Sequence, residues 1–200
     1  DRFVVLLLSF IIVIVFWGAF EQAGGLMNIY TKEKVNRFVS QTTFDIIGYG
    51  SGLLMIIYGF FIRGFSWKKA KGHIIGGISI AVIYTAVNAI WLNQAEYLIP
   101  ASVFQSVNAI FIIIFGTIVA AFWTWRARQG GEHSSLYKMA IGTIVMGLGF
   151  LFMAKASLEV LSTGQAALIW IILAYLLHTL GELSASPVAL SFITKLAPAK

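Results

Sequence analysis

Six apolar stretches, each close to the length that crosses a lipid bilayer as a helix, decide most of what this chain can become. They cover residues 3–27, 46–62, 74–92, 101–125, 136–154 and 166–197. A bilayer core offers backbone N–H and C=O groups no partners, so an open chain crosses it only as α-helix. Composition agrees: 59% of the 200 residues are hydrophobic and 11% are charged, more apolar surface than a soluble domain of this size can hide. The expected fold class is an all-α polytopic membrane protein with six transmembrane helices. The net charge of +6 reads as loop charge that sets orientation, not as a nucleic-acid surface. With no cysteine in the chain, disulfides and thiolate metal sites are excluded.

Six crossings put both ends on one face of the membrane, together with loops 63–73 and 126–135. That face collects Arg2, Arg63, Lys68, Lys69, Lys71, Arg126, Arg128, Lys138, Lys195 and Lys200, against Lys32, Lys34, Arg37 and Lys155 opposite. The positive-inside rule makes the richer side cytoplasmic. Trp67, Trp91, Tyr97, Trp123, Trp125 and Tyr137 fall where aromatic anchors meet the headgroups. Gly48, Gly50 and Gly52 in the second span, with Gly76 and Gly77 in the third, predict a closely packed helical hairpin.

Polar groups at membrane depth are the functional candidates, because an acid at the bilayer centre costs about 2.5–3.5 kcal/mol on insertion scales. In the last span Tyr175, His178, Glu182 and Ser186 follow one another at i, i+3, i+7 and i+11, a polar stripe on an apolar rod. Burial disfavours a charged carboxyl and a neighbouring cation restores it, so Glu182 is expected to change protonation as a cationic partner comes and goes. A fixed structural ion pair is the alternative. His178 titrates in the useful range, or else simply packs, donating to a carbonyl. Pro187 supplies no N–H to the carbonyl of Leu183, which predicts a bend or break there, with Ser184 or Ser186 covering the freed group.

Two further places carry polar side chains. Trp17, Glu21, Gly24 and Asn28 recur at helical spacing near the outer end of the first span. Glu21 there either faces a cavity or pairs structurally near the interface. Gln105 and Asn108 lie one turn apart in the fourth span. Buried amides serve as interhelical links or as partners for an amino- or carboxylate-bearing substrate. No nucleophile–base pair, metal-spaced cluster or phosphate-cradling loop is present, so an enzyme is not expected.

Three stretches in series carry a family resemblance. FWGAFEQ at 16–22 resembles the seventh span of the proton-dependent oligopeptide transporters, a branch of the major facilitator superfamily. PASVFQSVNAIFIIIF at 100–115 resembles their eighth, and LGELSASPVALSFITKLAP at 180–198 their tenth. The fifth apolar stretch fits the ninth by position. Ala109 and Thr117 stand where the family commonly has proline, which predicts a straighter eighth span.

The resemblance implies a twelve-span protein of which residues 1–200 form a partial C-terminal bundle. Residues 1–29 would be its seventh-span helix and 100–198 its eighth to tenth. Residues 46–92 would be an inserted two-helix hairpin, facing lipid and taking no part in transport. The chain opens on Asp1 and reads as a piece of something longer, lacking the N-terminal six-helix bundle. The implied function is proton-coupled symport of di- and tripeptides by alternating access, in the inner cell membrane. Its partners would be a small peptide, protons, the lipid bilayer and the absent bundle, with no cofactor beyond the coupling proton.

By carry-over Glu182 would receive the peptide's amino terminus and Asn108 its backbone or amino end. Gln105, Tyr175 and Trp17 would complete the binding site. Glu21 would pair with a lysine of the other bundle in the proton switch, with Glu182 and His178 as further coupling groups. Glu33 would join an outer-gate salt bridge, and Pro187 and Ser186 would mark the hinge. A transporter of another small solute, such as an amino acid or nitrate, and a non-transporting membrane subunit are the competing readings.

Overall fold

The computed structural model describes residues 2–62, 66–91, 95–130 and 135–196. Among them are six helices long and apolar enough to cross a membrane. In chain order the elements are α1 (Arg2–Phe20), α2 (Leu26–Lys34), strand β1 (Phe38–Ser40), α3 (Gln41–Ile62), α4 (Trp67–Trp91), strand β2 (Glu96–Leu98), α5 (Gln105–Arg128), α6 (Ser135–Thr163) and α7 (Leu168–Leu196). The chain divides into two compact units, Asp1–Arg37 with Pro100–Lys200, and Phe38–Ile99.

The helices outrun the apolar stretches. α6 continues through Lys155 to Thr163, and α4 starts at Trp67, taking in Lys68, Lys69 and Lys71 that the sequence assigned to a loop. Lipid sets the length of an apolar run, whereas a helix ends only where a breaker or a competing hydrogen bond stops it. Residues 63–65 and 131–134 of the two basic loops lie outside the described residues.

In the larger unit α6 and α7 form the tightest pair. Their backbones meet at Gly142 and Gly181, where an added Cβ on either would lie within 2.7 Å of the other's carbonyl oxygen. Such contact is open only to small residues, and in lipid it substitutes for the missing hydrophobic drive between helices. Met146 of α6 and Ala174, His178 and Ala185 of α7 are buried along this seam. Phe16 of α1 joins Met146 and Ala185, with Ala19 and Phe20 packed around them. Outward residues such as Ile14, Ile113 and Leu161 are largely exposed, as expected of surfaces solvated by acyl chains.

The first span is not one helix. α1 stops at Phe20, Glu21–Ala23 form a single 3₁₀ turn, and Gly25 (φ −97°, ψ −102°) precedes the restart at Leu26. Two adjacent glycines, each the weakest helix former short of proline, make this the place where the rod gives way. Past the break, the Asn36 N–H donates to the Ala166 carbonyl at 2.9 Å and the Ala166 N–H to that of Lys34 at 2.8 Å. The end of α2 is thereby tied to the α6–α7 turn.

The last span is not broken at its proline. α7 runs unbroken through Pro187 to Leu196. The Ser184 hydroxyl donates to the Leu180 carbonyl at 3.0 Å, not to the Leu183 carbonyl that lacks the proline's N–H. α5 is continuous from Gln105 to Arg128.

The smaller unit is a helical hairpin. An added Cβ at Gly52 would meet the Gly77 carbonyl at 2.6 Å, and one at Gly77 the Gly52 carbonyl at 2.4 Å, so these two glycines let α3 and α4 touch; Gly50 faces open space. β1 and β2 pair antiparallel, Phe38 opposite Leu98 and Ser40 opposite Glu96, and so tie the hairpin's two ends together. The sequence reading held no strand here; segments of three residues carry too little alternation to register. A polar cluster also went unforeseen. Asp45 Oδ1 accepts from Tyr84 (2.8 Å), Gln41 (3.0 Å) and Asn88 (3.3 Å). Because α3 begins at Gln41, Asp45 belongs to the helix and not to the preceding loop.

Candidate functional site

Polar side chains from three segments of the larger unit converge on one cavity of about 150 Å³. The 3₁₀ turn after α1 contributes Glu21, with Phe20, Ala23 and Gly24 beside it. α5 contributes Gln105 and Asn108, and α7 contributes Tyr175 and His178. The helix break positions Glu21: because α1 ends at Phe20, its carboxylate is carried on a turn at the cavity edge and is exposed. The Tyr175 hydroxyl fixes the same turn, donating to the Ala23 carbonyl at 3.0 Å. No Lys or Arg is among the described residues lining the cavity.

Glu182 stands one hydrogen bond away. Asn108 Nδ2 donates to Glu182 Oε2 at 3.2 Å, while Asn108 Oδ1 accepts from the Thr179 hydroxyl at 2.5 Å. The amide therefore clips α5 to two successive turns of α7 and holds the carboxylate in place. Asn108 is thus the interhelical link that is one of its two expected roles, and it also lines the cavity. Thr179 was missed at the sequence level, because a threonine on an apolar helix usually bonds its own backbone, as it also does here to Tyr175 O at 2.8 Å. Glu182 is half-buried and has no cationic partner among the described residues.

His178 packs as its alternative expects, but without the hydrogen bond to a carbonyl. It is 1% exposed, stacked obliquely on Phe150 at 4.7 Å between ring centroids, and neither ring nitrogen has a hydrogen-bond partner among the described residues. The ring fits because residue 149 is glycine; a Cβ there would lie 2.5 Å from His178 Cδ2.

Other candidates are not brought together. Trp17 packs edge-on to Phe16 (5.7 Å) and Phe20 (5.5 Å) and lies away from the cavity, against α6 and α7 near Met139 and Ser186. The helical spacing that joined Trp17, Glu21, Gly24 and Asn28 fails beyond the break: Glu21 and Gly24 stay at the cavity, and Asn28 belongs to α2. Glu33 is exposed on α2, beside a groove of about 410 Å³ shared with Tyr30, Lys34 and Phe150. Ser186 and the exposed Pro187 lie further along α7, outside the cavity.

Fold and site together define an all-α polytopic membrane protein whose helices line a cavity with polar side chains and, among the described residues, no Lys or Arg. The chain belongs to the POT family, whose model matches residues 76–200. The match takes in α4 from Gly76 and all of α5, α6 and α7, and leaves Trp17, Glu21 and Glu33 outside. Over 126 residues (62% of this chain, 24% of the relative) it is 39% identical to an uncharacterized transporter, YclF, of Bacillus subtilis. It is 40% identical over 102 residues (50% and 20%) to the peptide transporter YePEPT of Yersinia enterocolitica. Identity to a di-/tripeptide transporter of Lactococcus lactis is 30% over 112 residues (56% and 22%). The alignments thus span about a fifth to a quarter of the length of these relatives. No solved structure matches the chain significantly.

Proposed function

We propose that these helices are part of a proton-coupled symporter of di- and tripeptides, working by alternating access against a second helical bundle of the same polypeptide. The observation that supports this reading is the Glu21 carboxylate at a cavity with no basic side chain among its described lining residues, with Glu182 hydrogen-bonded to the lining residue Asn108. A peptide's amino terminus is the complementary cation, and a charge held in a dry site is attracted more strongly than in water. Relatives named as peptide and di-/tripeptide transporters support the same cargo.

In this reading Glu182 receives the amino terminus, positioned by Asn108, while Gln105 and Tyr175 line the approach. Glu21 exchanges a proton and pairs with a lysine from the opposite bundle when empty; Glu33 closes the outer gate. The flexing element is the turn at Gly24 and Gly25, since α7 is a single helix. Discontinuous helices beside the binding site are the usual mechanical element of such transporters. The protein would lie in the inner cell membrane with its basic loops, 63–73 and 126–135, in the cytoplasm.

The test is gradient-driven uptake of labelled dialanine by proteoliposomes containing the complete transporter polypeptide. Uptake should appear only with an inward proton gradient, and Glu182→Gln should abolish it while leaving membrane insertion and the size-exclusion profile unchanged. Normal uptake by that variant would remove the assignment.

A further inference from the structure

We propose that the recess between the end of α5 and the start of α6 binds an anionic phospholipid, with Arg126 and Lys138 holding the headgroup phosphate. Such a site meets the bilayer and not the cargo, so it holds whatever solute the helices carry.

The recess, of about 300 Å³, is lined by Phe122, Trp123, Trp125 and Arg126 of α5 and by Tyr137 and Ile141 of α6. It lies where both helices leave the apolar slab, since α5 ends at Arg128 and α6 begins at Ser135. Loop charge that only sets orientation needs no fixed position. Here one cation is placed: Lys138 Nζ sits over the Trp123 ring, 5.4 Å from its centroid. The indole N–H of Trp123 in turn donates to the Ser184 hydroxyl at 3.4 Å. α7 thus sets the ring, and the ring attracts the ammonium to its face. Arg126 lines the recess itself, and a guanidinium presents a planar fork of donors that matches phosphate oxygens.

The charge on the two helices here has one sign. α5 holds Arg126 and Arg128 and no acid, and the first acid of α6 is Glu159, near that helix's other end. Glu132 of the connecting segment lies outside the described residues. The rest of the lining is aromatic or aliphatic, and Phe122, Trp125 and Tyr137 are each about half exposed. Trp and Tyr favour headgroup depth, where one end of the ring is dry and the other wet. Cations beside such a wall fit an amphiphile: phosphate against Arg126 and Lys138, glycerol and the first acyl carbons against the rings. Basic pockets between spanning helices on the cytoplasmic side take anionic headgroups in this way. The groove beside Glu33 and Lys34, by contrast, carries one charge of each sign and selects no anion.

The experiment follows the unfolding temperature of the complete transporter polypeptide in a neutral detergent, because a ligand that binds only the folded state raises it by mass action. The protein is titrated with dioleoyl-phosphatidylglycerol, with dioleoyl-phosphatidylcholine (the same tails under a zwitterionic head) and with glycerol phosphate (the head without tails). The phosphatidylglycerol response should saturate at a concentration about tenfold or more below that of phosphatidylcholine, and glycerol phosphate should give none in that range. Arg126→Gln with Lys138→Gln should weaken the phosphatidylglycerol response about tenfold or more, the factor a hydrogen bond to a charged group supplies. Lys155→Gln, towards the other end of α6, should leave it unchanged. Equal responses to the two lipids, an unshifted curve in the double variant, an equal shift in Lys155→Gln, or a glycerol phosphate response matching phosphatidylglycerol would each overturn the inference. If the double variant does not assemble, Ile141→Trp, which fills the recess and keeps both cations, decides instead: a weakened response supports the site and an unshifted one removes it. Uptake plays no part in this readout, so its outcome is separate from that of the peptide-symport reading.

Discussion

A methyl group added at Gly149 would lie 2.5 Å from His178 Cδ2, 2.8 Å from Nε2 and 3.0 Å from the Ala174 carbonyl. Neither the ring, held by Phe150, nor the backbone of α7 yields without opening the α6–α7 seam. Gly149→Ala should destabilise the protein by about 1–3 kcal/mol, the usual range for overpacking, read as a lowered unfolding temperature in detergent. An unchanged unfolding temperature would mean that the ring has room the structure does not give it. Asn108 illustrates the same economy of roles, since one amide both clips α5 to α7 and borders the cavity. Truncating it therefore removes a helix contact and loosens Glu182 together, and its effect on uptake cannot be divided between the two.

Among the elements, the broken first span has the clearest mechanical consequence. Gly24 sits at φ −80°, ψ −23°, and an added Cβ at Gly24 or Gly25 would meet nothing nearer than the Glu21 carbonyl, at 3.8–3.9 Å. Alanine meets no close contact at either position, must shift Gly25 from its ψ of −102° toward helical angles, and raises helix propensity by about 0.8–1 kcal/mol per site. Gly24→Ala with Gly25→Ala should favour a continuous helix, withdrawing the turn that carries Glu21 to the cavity. The expected outcome is an unfolding temperature equal to or above the wild type, with dialanine uptake strongly reduced. Retained uptake at higher stability would show that the break has no part in the cycle. Proline, by contrast, produces no break at residue 187: helices in bundles accommodate one lost hydrogen bond when neighbouring turns hold the rod.

At the scale of the molecule, the two units invite separation. Pairing of β1 with β2 sets Phe38 opposite Leu98, and paired strand residues lie about 4.5–5.5 Å apart. A short Gly-Ser link can therefore replace residues 38–99, and an even number of helices leaves sidedness intact. The excised protein should insert and retain proton-driven dialanine uptake; a well-folded variant without uptake would give the hairpin a role in transport. The chain's own order of residues was enough to define six membrane-length helices, a close glycine-mediated approach of α3 and α4, the family, and the polar types that meet at the cavity. Apolar run length and residue chemistry are local properties, legible one segment at a time. Three-dimensional packing alone decided that the rod fails at Gly24 and Gly25 and not at Pro187, that Trp17 turns away while Glu21 turns in, and that Thr179 completes the Asn108 clip. It also decided that His178 has no hydrogen-bond partner among the described residues. Most of these depend on which neighbour occupies the space beside a side chain, and neighbours contributed by residues tens of positions away leave no periodic trace in a sequence.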